Sequence, residues 1–332
     1  MTNPVPVPVN ITRASKHLFL AAVKMFTGFD GSANVRKALG LFAAPDLSAE
    51  IADDKDLNTL RKRVVRPLEM VGKRPVCLFA SYSPDGRIWP HVVSYCKDLK
   101  AQGFVVVLIV ATDRADLRCD DPGAAVADAM QVVENFGFDF SAWARTLRLW
   151  PDLWNASSLL FTNDSIYHSP AGLATLMERV KASTTDVVAL TESTAFRRHF
   201  QSYFFILREK ALANEAVRAF FSEIRALGDK QKVIEACEVP LPSLLSTQGL
   251  SVDVLFELPE SDPRAANPTL AAHGDLLRKG MPFVKVQLLR ENPFNANIAN
   301  WRTDLKERGF RMDELEMHLG SLKIPAAAFL QP

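Results

Sequence analysis

The feature that most constrains this chain starts at residue 75, where short apolar runs begin to alternate with amphipathic helical stretches. The run 104–111 is uninterrupted and rich in β-branched residues, and it is far too short to span a bilayer. It predicts a strand buried on both faces, as parallel strands covered by helices are. Similar signatures predict strands at 76–81, 127–133, 157–161, 186–191, 203–207 and 252–256. Between them lie helical patterns at 88–101, at a segment where Ser169 caps and Pro170 takes the first position, and at a segment starting near Asn214. In the last, Val217, Phe220, Phe221, Ile224 and Leu227 form one stripe. This alternation predicts an α/β fold, a mostly parallel doubly wound sheet.

The ends of the chain read differently. Residues 1–70 carry helix-like stretches at 12–26, 33–43 and 56–70, which predicts a helical N-terminal extension. Residues 71–295 form the α/β domain, and 296–332 a helical C-terminal extension. Between Lys55 and Arg74 seven basic residues face only two acidic ones, Asp56 and Glu69. Such a run is either a solvated face or a contact for anionic lipid headgroups or an acceptor pyrophosphate.

The formal charge of +1 over 332 residues argues against a bulk nucleic-acid binder. Cys77, Cys96, Cys119 and Cys237 show no C-x-x-C spacing, so buried free thiols in a reducing compartment are expected. No signal peptide is recognisable, and a cytoplasmic protein is expected, with a possible peripheral place at the membrane. G-x-G-x-x-G after the first strand, the P-loop motif and G-x-S-x-G are all missing, and the six histidines have no H-E-x-x-H spacing.

In an open α/β sheet, ligands bind beyond the carboxyl ends of the strands. Polar residues gather there: Ser81, Tyr82 and Asp85 after 76–81, Asn135, Gly137 and Asp139 after 127–133, Asn163, Asp164 and Ser165 after 157–161, and Glu192 after 186–191. Each has a plainer reading. Pro84-Asp85-Gly86 is a turn sequence, Asn135 and Gly137 could simply start a helix, and Asp164 could be a cap. The aromatics Phe136, Phe138, Phe140 and Trp143 are assigned to the core.

At these same clusters the sequence resembles the rhamnan synthesis F family of bacterial polysaccharide glycosyltransferases. The segments that carry the resemblance are 79–87 (FASYSPDGR), 134–140 (ENFGFDF), 160–167 (LFTNDSIY), 199–204 (HFQSYF), 267–269 (NPT) and 282–285 (PFVK). They occur in the family's order, and the chain departs from its pattern at Ser141, His168 and Pro240. The resemblance implies a GT-A-like fold and transfer of a sugar from a nucleoside diphosphate, with dTDP-L-rhamnose the leading donor, to a glycan or lipid-linked glycan acceptor. An inverting transfer needs a carboxylate base, for which Glu238 is the first choice and Glu192 the second. Asp164 stands where a metal-binding carboxylate is expected, for Mg²⁺ or Mn²⁺. Without a metal, Lys285 or Arg290 would neutralise the leaving group. Ser81, Tyr82, Asp85, Asn135, Gly137, Asp139, Asn163, Ser165, His199, Gln201 and Ser202 are expected around the donor. Two alternatives stay open: an idle nucleotide-sugar- or glycan-binding module of an assembly complex, and a nucleotide-dependent phosphotransferase.

Overall fold

A computed structural model describes residues 54–322, all within the C-terminal of the two units into which the chain divides, Ala52–Pro332. The helices expected at 12–26 and 33–43 lie outside the described residues. The main strands are β1 (Lys62–Arg66), β2 (Pro75–Tyr82), β3 (Val105–Thr112), β4 (Ala129–Glu134) and β5 (Ser158–Asn163). After β6 (Ile166–His168) come β7 (Val187–Ala189), β8 (Glu192–Ser193), β9 (His199–Phe200), β10 (Phe204–Arg208), β11 (Val252–Val254) and β12 (Phe283–Lys285). Eight of them form one sheet in the order β1-β4-β3-β2-β5-β10-β7-β11. The pairings β4-β3, β3-β2, β2-β5 and β7-β11 are parallel, while β1, and β10 on both its sides, run antiparallel. The α/β class and the predominance of parallel pairing are as the alternation predicts.

Side chains leave successive strand positions on opposite faces, so β2 feeds two cores. Val76, Leu78 and Ala80 join α2 (Phe138–Leu149) through Phe140, Trp143 and Leu147. Cys77 and Phe79 join α1 (Pro90–Ala101) through Val92, Tyr95 and Leu99, and α3 (Pro170–Ala182) through Leu173 and Leu176. Helices thus cover both faces, which is why these strands are apolar throughout. Ser169 accepts from the Gly172 N–H ahead of Pro170, and Asn214 caps the helix Glu215–Glu223 through the Val217 N–H. That second helix stops before Ile224, so the expected stripe is helical only as far as Phe221.

One expected helix is absent. The segment 56–70 is not a helix: a short 3₁₀ turn, Leu57–Thr59, leads into β1, which pairs with β4 at the sheet edge. Val64 and Val65 suit a pleated surface, and Pro67 ends the strand. The basic residues flank that edge, where charge discourages pairing with another chain. Arg61 binds Glu134 at 3.0 Å and Arg66 binds Asp121 at 2.7 Å.

The helices Trp301–Glu307 and Met312–Ser321 close a third apolar cluster, in which Leu305, Phe310, Leu315 and Leu319 pack with Tyr167, Leu270 and Leu288. Arg311 pairs with Asp98 at 2.7 Å, and Ser94 donates to Glu314 at 2.6 Å, so the last helix is fixed to α1. Cys77, Cys96 and Cys237 are buried and unpaired, and Cys119 is half-buried. Among the described residues no helix is long and apolar enough to cross a membrane.

Candidate active site

The carboxyl ends of β2 and β5 open into a cleft of about 710 Å³. Its wall includes Asp139, Asn163, Asp164, Ser165, Gln201, Ser202, Glu238 and Lys285, with Tyr82, Asp85 and Arg290 towards the mouth. Six segments separated in sequence therefore meet in one place. A neighbouring pocket of about 350 Å³ shares Tyr82 and Asp139 with the cleft and adds Ser81, Asn135 and Phe138.

Local structure aims these groups. Gly137 sits at φ 86° ahead of α2, and a Cβ there would lie 2.8 Å from the Cα of Ala226. Only glycine makes this turn without strain. It sets Asp139 in the first turn of α2, where the helix dipole favours a carboxylate. Asn163 ends β5, and its Nδ2 donates to Asp139 Oδ2 at 2.7 Å. Its Oδ1 accepts from Ser165 Oγ at 2.6 Å, and Lys285 Nζ donates to that same hydroxyl at 3.0 Å. Lys285 also stands 4.2 Å over the Tyr203 ring. One polar chain thus runs from Lys285 through Ser165 and Asn163 to Asp139.

Asp164 Oδ2 accepts from Ser81 Oγ and from the Tyr82 N–H, both at 2.7 Å. Burial nonetheless raises its pKa to about 6, with a further push from Asp139. Burial raises Asp139 as well, and it lowers Lys285 to about 7 against the pull of Glu238, Asp139 and Asp164. Perturbed acids and a perturbed amine in one cleft are the signature of a reactive or ligand-binding site. Glu238 closes a single π-helical turn, Ile234–Glu238, a deformation often found at functional positions. Its Oε1 accepts from Ser202 Oγ at 2.7 Å.

The side-chain bonds described above engage Oδ2 of Asp139 and Oδ2 of Asp164, and each carboxylate brings a second oxygen. Such hard oxygen donors suit Mg²⁺ or Mn²⁺ when diphosphate and water supply the remaining ligands. Among the described residues no three His, Cys, Asp or Glu side chains are grouped to hold a metal by themselves. Asp139 and Asp164 could hold a cation only together with oxygen ligands from another group.

Five expected residues are not on the cleft wall: Glu192, His199, Gly137, Ser81 and Asn135. The strand before Glu192 ends at Ala189, and the chain turns into the short β8–β9 pair, which directs Glu192 to an ion pair with Arg198. That removes Glu192 as a second choice of base. His199 is only 3% exposed and lies behind Glu238. Gly137 acts through its backbone. Ser81 and Asn135 line the neighbouring pocket, where the Asn135 amide donates to Asp113 at 2.7 Å. Phe140 and Trp143 are core, as expected, but Phe138 is 44% exposed and forms part of that pocket.

Several residues of the cleft have no assigned role in the sequence reading. Asn267 and Thr269 lie in a segment that carries the resemblance, and Asn267 Oδ1 receives Gln201 Nε2 at 3.4 Å. Lys230 follows the cap Asp229, a signal of a helix start but not of a site. Trp89, under the Arg87 guanidinium at 4.3 Å, and His318 of the last helix complete the far wall.

The model of a protein family described as rhamnan synthesis protein F matches residues 109–332. The chain belongs to that family. The match takes in Asp139, Asp164, Gln201, Glu238 and Lys285, so these residues of the cleft belong to the part of the chain that places it in a family of rhamnan synthesis. Virulence protein VirA of Vibrio anguillarum is 26% identical over 254 residues, covering 67% of this chain and 81% of VirA. An uncharacterized protein of Sinorhizobium fredii, y4gN, is 26% identical over 128 residues, 37% of this chain and 33% of its own length. Among solved structures, a glycosyltransferase involved in glycosylation of the major capsid of PBCV-1 overlaps 73% of this chain and 100% of its own, at 9% identity and a TM-score of 0.33. A cytidylyltransferase from Leptospira borgpetersenii overlaps 57% and 77%, at 12% identity and a TM-score of 0.30.

Proposed function

We propose that this protein transfers a sugar from a nucleoside diphosphate to a bacterial surface polysaccharide acceptor, with L-rhamnose from dTDP-L-rhamnose as the leading donor. The observation that carries the reading is the meeting of Asp164, Gln201, Glu238 and Lys285 in one cleft at the carboxyl edge of the sheet. The nucleoside takes the pocket of Ser81, Tyr82 and Asn135, and the diphosphate lies between Asp164 and Lys285. A bound Mg²⁺ or Mn²⁺, held by Asp164 with Asp139, would supply charge compensation on the departing diphosphate. Lys285 and Arg290 add positive charge on the same side. Gln201 and Ser202 orient the donor sugar, and Glu238 takes the proton from the acceptor hydroxyl in an inverting displacement. The reaction is assigned to the cytoplasm, at or near the inner membrane face where a lipid-linked glycan would be met.

A second reading rests on one observation: Asp164 has an oxygen fully engaged by Ser81 and Tyr82, as a purely structural carboxylate would. An idle nucleotide-sugar- or glycan-binding module of an assembly complex is consistent with that. The deciding experiment is nucleoside diphosphate release from a panel of nucleotide sugars. Release that disappears in Asp164→Asn and Glu238→Gln supports the transferase. Tight binding without turnover on any donor selects the module.

A further inference from the structure

His199 meets Glu238 behind the cleft wall. The ring is fixed by its backbone neighbourhood: Nδ1 lies 2.7 Å from the Arg197 carbonyl oxygen. A carbonyl only accepts, so Nδ1 carries a proton, and in the neutral ring Nε2 is left as a bare lone pair. That nitrogen faces Glu238 Oε2 at 3.8 Å, about an ångström beyond a hydrogen bond. Glu238 Oε1 is already engaged by Ser202. A lone pair set against a carboxylate oxygen in a buried place is unfavourable until a proton lies between them. The pair is therefore built to accept one proton. Around it, Lys285 of β12 and Asp139 of α2 act on Glu238 through space, and Lys230 and Cys237 share its helical segment. On the strand paired with His199, Glu192 is held by Arg198.

We propose that His199 is a positioning residue that acts through Glu238 by accepting the proton which Glu238 removes from the acceptor. This rests on the reading of Glu238 as the base. As the acceptor oxygen bonds to the anomeric carbon, its proton passes to Glu238. The bond from that carbon to the diphosphate oxygen breaks, and its electron pair leaves with the nucleoside diphosphate. The proton then moves from Glu238 Oε2 to His199 Nε2, giving an imidazolium whose Nδ1–H stays on the Arg197 carbonyl. Glu238 is a carboxylate again while product leaves, and the buried imidazolium returns its proton through Glu238 to the solvent of the emptied cleft before the next turnover.

Two measurements on the full chain test this. Long-range ¹H–¹⁵N histidine spectra should show His199 as the Nδ1–H tautomer, with an Nε2 resonance displaced in Glu238→Gln. An Nε2–H tautomer, or an Nε2 resonance that the substitution leaves in place, overturns the pairing. His199→Asn keeps an amide N–H for the Arg197 carbonyl and removes Nε2. Its kcat should fall at least about tenfold, with donor KM unchanged and the acid limb of the pH profile moved to lower pH. A pH profile that superimposes on the parent's overturns the relay. If the parent releases no nucleoside diphosphate from any donor, the transferase reading fails and the relay with it, while the spectra still decide the pairing.

Discussion

Binding of a nucleoside diphosphate should draw a proton onto Lys285. Burial holds this amine at about 7, although it faces Glu238, Asp139 and Asp164. At pH 8 such a group is roughly one-tenth protonated, and an anion arriving within ~4–6 Å raises a pKa by about 1–3 units. A rise of about two units makes it roughly nine-tenths protonated, so binding takes up about 0.8 proton. Asp164, at about 6 in the free protein, would be kept ionised by the Mg²⁺ of the complex and contribute little to the exchange. The assay is calorimetric titration with the Mg²⁺ complex in buffers of different ionisation enthalpy, whose slope counts protons. In Lys285→Arg the cation is permanent, so uptake should fall to near zero while binding persists. An enthalpy independent of buffer in the parent, or equal uptake in the arginine variant, refutes the placement of Lys285 beside the diphosphate.

The remaining predictions concern stability and the metal. Gly137→Ala forces a side chain into positive φ against the Ala226 backbone, and should cost about 1–3 kcal/mol in chemical denaturation. An undiminished midpoint would show that the turn can relax. The Asp164 pKa is raised in the folded state, so its contribution to stability is fully present below about pH 4 and is lost as pH rises through about 6. Asp164→Asn should therefore be more stable than the parent at pH 7, by on the order of 2 kcal/mol, with the gap closing towards pH 4. A constant gap in denaturation curves would contradict the raised pKa. EDTA should abolish nucleoside diphosphate release and Mg²⁺ or Mn²⁺ restore it, whereas turnover that survives EDTA assigns charge compensation to Lys285 and Arg290 alone.

The strands and the capped helices were legible because they are local. The run at 104–111 and the Ser169-Pro170 start contain their own instructions, and the structure places β3 at Val105–Thr112 and α3 at Pro170–Ala182. The polar residues after β2 and β5 were legible because parallel strands deliver their ends to one edge. The segment 56–70 misled, since its apolar spacing suits a helix and only the partner strand β4 shows otherwise. The direction of Glu192 depends on a two-residue hairpin, and that of His199 on the Arg197 carbonyl, neither of which has a sequence signature. His318 reaches the cleft because Arg311 and Glu314 bind α1, over two hundred residues away in the chain. Contacts at such separations follow from the assembled fold and not from local spacing.

The most direct test is a thermal-shift screen of nucleoside diphosphates with and without Mg²⁺. A cleft in which Asp164 and Lys285 grip a pyrophosphate should show a rise of the order of 5 °C at saturating ligand, larger with the metal and smaller in Asp164→Asn. If no nucleoside diphosphate moves the midpoint under either condition, these residues meet for some other purpose.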